Sequence, residues 1–284
     1  MNTFDKLSRI ELEDASAFLQ STFPFINSVE VTIQLGSGQT ADGLLDDEWG
    51  RSSLQELPRM PAVESLAHHD LSIRWGMVGN VRTLIFSGRY HMYEGYGLIP
   101  CILPIWAAAN CGCKTFVFGN TSGGIRDDLV PGRLMLIRDH INNLCVSPLA
   151  GHHHLMQSPY VDMTALYDRK LGDSLLATGK RLQLELSEGV YMANRGPHFE
   201  TPAEVRMARV IGADVVGMST VLEATTAHAA GGRVVGVSIV SNRAAGLGNG
   251  PISHEDNVAG VGHAAFQLRD LLRAWLTREA MTAL

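Results

Sequence analysis

The run Leu98-Ile-Pro-Cys-Ile-Leu-Pro-Ile-Trp-Ala-Ala-Ala-Asn110, followed by Cys111-Gly-Cys-Lys114, Thr115-Phe-Val-Phe118 and Gly119-Asn-Thr-Ser-Gly-Gly124, decides the fold class. Its first part reads as a helix with Gly112 as the stop, and its second as a short strand running into a small polar loop. The same alternation recurs on both sides. Upstream, Val29 to Leu35 reads as a buried strand ending at Gly36-Ser37-Gly38, and Leu71–Met77 and Val81–Phe86 flank the hairpin signal Gly79-Asn80. Downstream, strands are predicted at Leu134–Ile137, Val190–Ala193, Val215–Met218 and Val234–Val240. Helices are predicted over Tyr167–Leu186, from Thr201 (N-cap) with Pro202 at the first helical position, from Val221, and from about Asn257. Strands alternating with helices imply an α/β fold, a single domain over residues 1–284 with a mixed, largely parallel central β-sheet flanked by helices. Met1 to Gln20 reads as an amphipathic helix within an N-terminal helical segment, residues 1–28. Polar clusters fall repeatedly at the carboxyl ends of strands, where open α/β sheets bind ligands.

Composition narrows the function. Lys and Arg total 23 against 29 Asp and Glu, a net charge of −6 with 18% charged and 45% hydrophobic residues. That is an ordered globular chain without the basic face of a nucleic-acid binder or of a membrane-surface protein. The N-terminus lacks a signal-peptide core, and no apolar run is long enough to span a membrane. Cys101, Cys111, Cys113 and Cys145 fit no zinc spacing and read as buried free thiols of a cytoplasmic protein. His152-His-His154 sits in a Pro/Gly-containing loop and has the look of a metal tract, but no metal is expected.

Six constellations carry chemistry. Gly36-Ser37-Gly38 after a strand lets backbone N–H groups approach an oxyanion; alone, it serves equally as a tight turn. In Gly88-Arg-Tyr-His-Met-Tyr-Glu-Gly-Tyr96, Arg89 has a planar fork suited to phosphate, and an extended chain puts Arg89, His91 and Tyr93 on one face. In Ala193-Asn-Arg-Gly-Pro-His-Phe-Glu-Thr201, Phe199 can stack on a planar ring while Glu200 accepts its N–H bonds. The competing reading puts Phe199 in the core and Glu200 at the helix dipole. Ser219, in Gly217-Met-Ser-Thr220, lies where a strand meets a helix, a second anion candidate. Ser241-Asn242 ends a strand where an Asn can donate to a ring nitrogen, and Ser253-His-Glu-Asp256 reads as a helix start that sets His254 as a ligand contact or a surface residue.

Taken together and in this order, with Asn120, Gly123-Gly124 and Leu136-Ile-Arg-Asp-His-Ile-Asn142, these motifs resemble the purine nucleoside phosphorylases of the trimeric, 6-oxopurine-specific type. The resemblance runs from about Val31 to the C-terminal helix. It implies a nucleoside phosphorylase-like fold, a homotrimer, and attack of phosphate on the anomeric carbon of inosine or guanosine, giving ribose 1-phosphate and free base. It places phosphate on Ser37, His69, Arg89, His91, Ser219 and the backbone around Thr121, with His68 as the neighbour that competes with His69. Ribose falls to Tyr93, the Met218 backbone and His254; the purine falls to Phe199, Glu200 and Asn242. His91, Glu200 and Asn242 are the implied catalytic residues. The implied partners are a purine nucleoside and phosphate, the latter a co-substrate; no cofactor, metal, nucleic acid or membrane is implied.

The chemistry suits those residue types. Cleaving the glycosidic bond develops positive charge on ribose and negative charge on the departing purine, so fixed donors near the base act mostly in the transition state. Several positions depart from the resemblance. Gln39-Thr40 stands where relatives have Leu-Gly, Thr121-Ser122 stands where they have Ala-Ala, and Arg243 adds positive charge beside Asn242. The loop Gly151-His-His-His-Leu-Met-Gln157 lacks the aromatic that relatives lend to a neighbouring subunit, with His153 or His154 as the substitute. Two rival readings remain: a methylthioadenosine or methylthioinosine phosphorylase of the same fold, and a non-catalytic nucleoside-binding relative. The first predicts an Asp in place of Asn242; the second must account for the retained Arg89, His91, Ser219, Glu200 and Asn242.

Overall fold

The computed structural model describes residues 6–63, 70–156, 158–248, 250 and 254–276, with backbone alone for 254–260. Helix α1 spans Arg9–Thr22 and opens with a capping box: the Ser8 hydroxyl accepts from the Glu11 N–H while the Glu11 carboxylate accepts from the Ser8 N–H. Strands β1 (Val31–Leu35), β2 (Asp47–Ser53), β3 (Ser72–Val78) and β4 (Val81–Ser87) follow, then α2 (Ile99–Asn110), β5 (Thr115–Gly124) and β6 (Leu134–Asn142). Helix α3 (Arg169–Arg181), β7 (Leu186–Ala193), α4 (Pro202–Val210), β8 (Val215–Gly217), α5 (Val221–Ala229), β9 (Arg233–Arg243) and α6 (His254–Trp275) complete the chain.

One mixed sheet runs in the order β2-β3-β4-β1-β5-β8-β7-β6-β9, and β9 pairs back onto β5, so five of its strands close into a ring. The parallel ladders are β1–β4, β1–β5, β5–β9, β6–β7 and β7–β8. The sheet is therefore a single-domain α/β architecture with helices on its faces, as the alternation of the sequence implies. One face packs with α1, α2 and α5, the other with α3 and α6, and every residue of β1 is buried. A strand covered on both faces reads as a continuous apolar run, which is why Val31–Leu35 is so legible.

Three differences from the sequence reading matter. The strand expected to stop at Phe118 continues through Gly124, because β9 pairs with it from Thr115↔Arg233 to Gly124↔Arg243. Edge strand β2, with exposed Asp47, Glu48 and Arg51, was not expected, since it carries no apolar alternation. Cys101, Cys111 and Cys113 are buried free thiols, with burial pushing Cys111 and Cys113 up to about 11, but Cys145 is exposed. Among the described residues no helix is long and apolar enough to cross a membrane.

The histidine tract is an anchor. His152 is fully buried; its Nε2 accepts the Leu7 N–H at 3.0 Å and its Nδ1 donates to the Pro148 carbonyl at 2.8 Å. His154 Nε2 donates to the Leu7 carbonyl at 2.9 Å, and Arg9 reaches the His154 carbonyl at 2.6 Å. The N-terminal segment is thus tied to this loop. His153 and His154 lie outside the lining of the cavity described next.

Candidate active site

The carboxyl ends of β1, β5 and β9, with the β8–α5 junction, open around one cavity. Its lining includes Ser37, His91, Tyr93, Thr121, Ser122, Gly123, Phe199, Met218, Ser219, Ser241 and Asn242. These are side chains drawn from six separate elements and loops. The expected residues converge, with four exceptions. Arg89 and Glu200 lie outside the lining, His69 (with His68) lies outside the described residues, and His254 is placed only as the first residue of α6.

Arg89 lies behind the lining rather than in it. It is 1% exposed, and Nη1 donates to Thr220 Oγ1 at 3.1 Å and to Glu223 Oε1 at 3.0 Å. Nη2 donates to the Gln34 carbonyl at 3.4 Å and to the Gly119 carbonyl. Both Nη atoms are engaged by protein acceptors while the buried Nε meets none, so Arg89 stands as a buried cation behind the cavity wall. Only His91 and Tyr93 of the expected face reach the cavity.

His91 caps a short turn over Met92–Glu94: its N–H donates to Glu94 Oε1 at 2.8 Å, and its Nδ1 lies 2.9 Å from the same oxygen. That carboxylate fixes the ring, which stacks on Tyr93 with centroids 4.7 Å apart. Burial raises the Tyr93 phenol well above its ordinary value of 10, so it remains a neutral hydroxyl at physiological pH. Gly196, at φ +63, packs against Met218 and Tyr93 where no side chain fits.

Beneath the anion side lies a buried chain of hydrogen bonds. Thr220 holds φ +72, a strained conformation for a β-branched residue. Its Oγ1 accepts from Arg89 and from Asn120 Nδ2 at 2.8 Å; Asn120 Oδ1 accepts from Ser238 at 2.6 Å, and Ser238 pairs with Ser122 at 2.6 Å. The Ser219 N–H donates to the Tyr191 hydroxyl at 3.2 Å; burial pushes that phenol up to about 12. Thr220, Glu223, Ser238 and Tyr191 have no role in the sequence reading, because only folding brings them under the motif residues.

The base side is held by fewer links, one of which, from the Ser241 hydroxyl to the Ser122 carbonyl at 3.2 Å, ties it to that buried chain. Glu200 accepts from Asn194 Nδ2 at 2.9 Å, and Asn194 in turn accepts from Asn143 at 2.7 Å. Ser241 donates to Asn242 Oδ1 at 2.8 Å, and Asn242 Nδ2 donates to the Arg243 carbonyl at 2.8 Å, which uses one of its two N–H bonds. Arg243 itself does not approach the base side. Its guanidinium donates to the Arg126 carbonyl at 2.7 Å and pairs with Asp127 at 3.2 Å, clamping the loop after β5. Among the described residues no cluster of three or more His, Cys, Asp or Glu is arranged to hold a metal.

Residues 30–277 match the phosphorylase superfamily. The chain belongs to that family. It is 35% identical to purine nucleoside phosphorylase 1 of Geobacillus stearothermophilus over 88% of this chain and 90% of the relative. It is 39% identical to the purine nucleoside phosphorylase of Mycobacterium leprae, over 88% and 89% of the two chains. Its fold superposes on a crystal structure of a Schistosoma purine nucleoside phosphorylase in complex with hypoxanthine with a TM-score of 0.83, at 25% identity, covering 95% of this chain and 98% of the other. Membership in the phosphorylase superfamily accounts for the spacing of the motifs over nearly the whole chain.

Proposed function

We infer that this phosphorylase-superfamily chain is a purine nucleoside phosphorylase, a pentosyltransferase that splits 6-oxopurine ribonucleosides with inorganic phosphate as co-substrate in purine salvage. The observation that supports this reading is a cavity whose lining gathers Ser37, His91, Thr121 and Ser219 together with Tyr93, Met218, Phe199 and Asn242. Phosphate sits at the first four and ribose at Tyr93 and Met218, where His254 takes the 5′-hydroxyl; His69 completes the phosphate side. Arg89 supplies positive charge from behind the Gly36 turn, its nearest nitrogen 3.7 Å from where a Gly36 Cβ would stand.

Phosphate attacks the anomeric carbon as the glycosidic bond lengthens, and its negative charge stabilises the ribosyl cation. The purine leaves with growing negative charge, which the remaining Asn242 N–H stabilises at the imidazole-ring nitrogen. Glu200, oriented by Asn194, accepts a hydrogen bond from the ring N–H of a 6-oxopurine; adenine offers a lone pair there. The reading requires no cofactor or metal, and it carries with it a homotrimer and a cytoplasmic location.

The test is base release from inosine, guanosine, xanthosine, adenosine and methylthioadenosine at millimolar phosphate. Turnover of inosine and guanosine well above adenosine is expected. Preference for adenosine or methylthioadenosine contradicts the assignments of Asn242 and Glu200, and no turnover of any nucleoside favours the binding-only alternative.

A further inference from the structure

We propose that Gln39 is a positioning residue for the phosphate side of the cavity, bridging the Gly36–Gly38 turn to β5; this rests on the phosphorolysis reading. The turn closes with the Gln39 N–H donating to the Gly36 carbonyl at 3.1 Å, and Gly38 takes the positive φ, +72, that its third position needs. The Gln39 side chain then folds back. Its Oε1 accepts the Gly36 N–H at 3.0 Å, and its Nε2 donates to the Asn120 carbonyl at 3.0 Å.

The place of this bridge gives it a consequence. The parallel ladder between β1 and β5 ends at Gln34↔Phe118. Gly36 and Asn120 lie two residues past that last pair. The side-chain amide therefore supplies one acceptor and one donor where the ladder stops, something no hydrocarbon of the same length does. The turn and strand also touch: a Cβ on Gly36 would stand 3.0 Å from Asn120 Cα. Ser37 and Thr121, the next residue on each side of the bridge, both line the cavity. Gln39 thus sets the separation between two walls of the phosphate subsite without touching the ligand, and an ordered separation is what a small tetrahedral anion requires.

Two variants test it. Gln39→Met keeps the length and removes both bonds; Gln39→Glu keeps the acceptor for Gly36 but sets an oxygen against the Asn120 carbonyl and brings negative charge beside the anion site. For Gln39→Met the phosphate KM is expected to rise roughly tenfold, the scale of one or two lost hydrogen bonds, with the inosine KM within about twofold of wild type. Gln39→Glu is expected to exceed it. The upward shift in melting temperature produced by millimolar inorganic phosphate alone should shrink in the same order. A phosphate KM and a phosphate-induced shift both unchanged in either folded variant overturn the proposal, as does an equal rise in the phosphate and inosine KM. If Gln39→Met does not fold, Gln39→Glu carries the same comparison. A wild type that phosphate stabilises but that releases no base would break the reading of function instead, and Gln39 would still be judged by the melting shift.

Discussion

The two sides of the cavity are built on different principles. Under the anion side, Arg89 and Glu223 form an ion pair with side chains 1% and 3% exposed, locked to Thr220, Asn120, Ser238 and Ser122 in one continuous network. On the base side, Phe199, Glu200 and Asn242 are half-buried; Glu200 is held by Asn194, and Asn242 by Ser241, which also reaches the Ser122 carbonyl. A buried network transmits any loss through all its members, because each unsatisfied group is costly away from water. The base side has fewer and more exposed links, so less is lost with each one. Damage to the anion side should therefore appear as stability, and damage to the base side as catalysis.

The largest expected effect breaks the network. Glu223→Gln leaves the Arg89 charge buried and uncompensated, and should cost about 3–5 kcal/mol in a urea unfolding experiment. A cost below about 1 kcal/mol would mean the anion side is no more interlocked than the base side. Next comes Asn242→Ala, expected to lower kcat about a hundredfold while nucleoside Kd changes little, since its bond strengthens only as the purine departs. Equal losses in kcat and binding would make Asn242 a ground-state contact. Asn194→Ala frees Glu200 and should reduce kcat/KM for inosine roughly five- to tenfold through a single lost hydrogen bond, with the phosphate KM untouched. A rise in the phosphate KM would show that the two sides are coupled. The smallest effect is expected from Arg243→Gln, whose side chain grips carbonyls of the loop after β5: the inosine-to-guanosine ratio should stay within about twofold, with a stability loss near 1 kcal/mol. A changed ratio would return Arg243 to the base side.

What could be read from the chain follows the same divide. Local signals were clear: Thr201 and Pro202 announce α4, and the Thr201–Glu204 capping box is in place. Gly79-Asn80 marks the hairpin, with Gly79 at φ +59. The motif residues that line the cavity sit on strand ends and turns, whose chemistry is visible in a few adjacent letters. Arg89 shows the limit. Its motif predicts a fork offered to phosphate, but its partner Glu223 lies 134 positions away, and only the fold brings the two together. Tyr191 shows the same limit: its partner Ser219 is 28 positions away, and the contact has no local signature. His152-His-His154 has the composition of a metal site but holds backbone groups of the N-terminal segment, a role that its letters do not announce. Gln39 departs from the resemblance, yet its return to Gly36 and Asn120 needs the coordinates of both strands.

The most direct measurement of the central claim follows the phosphorus. With inosine and inorganic phosphate, 31P NMR should show ribose 1-phosphate growing in as phosphate declines, in equal amounts with the hypoxanthine released. Hypoxanthine released with free ribose and undiminished phosphate would contradict it, because the cavity would then be delivering water to the anomeric carbon.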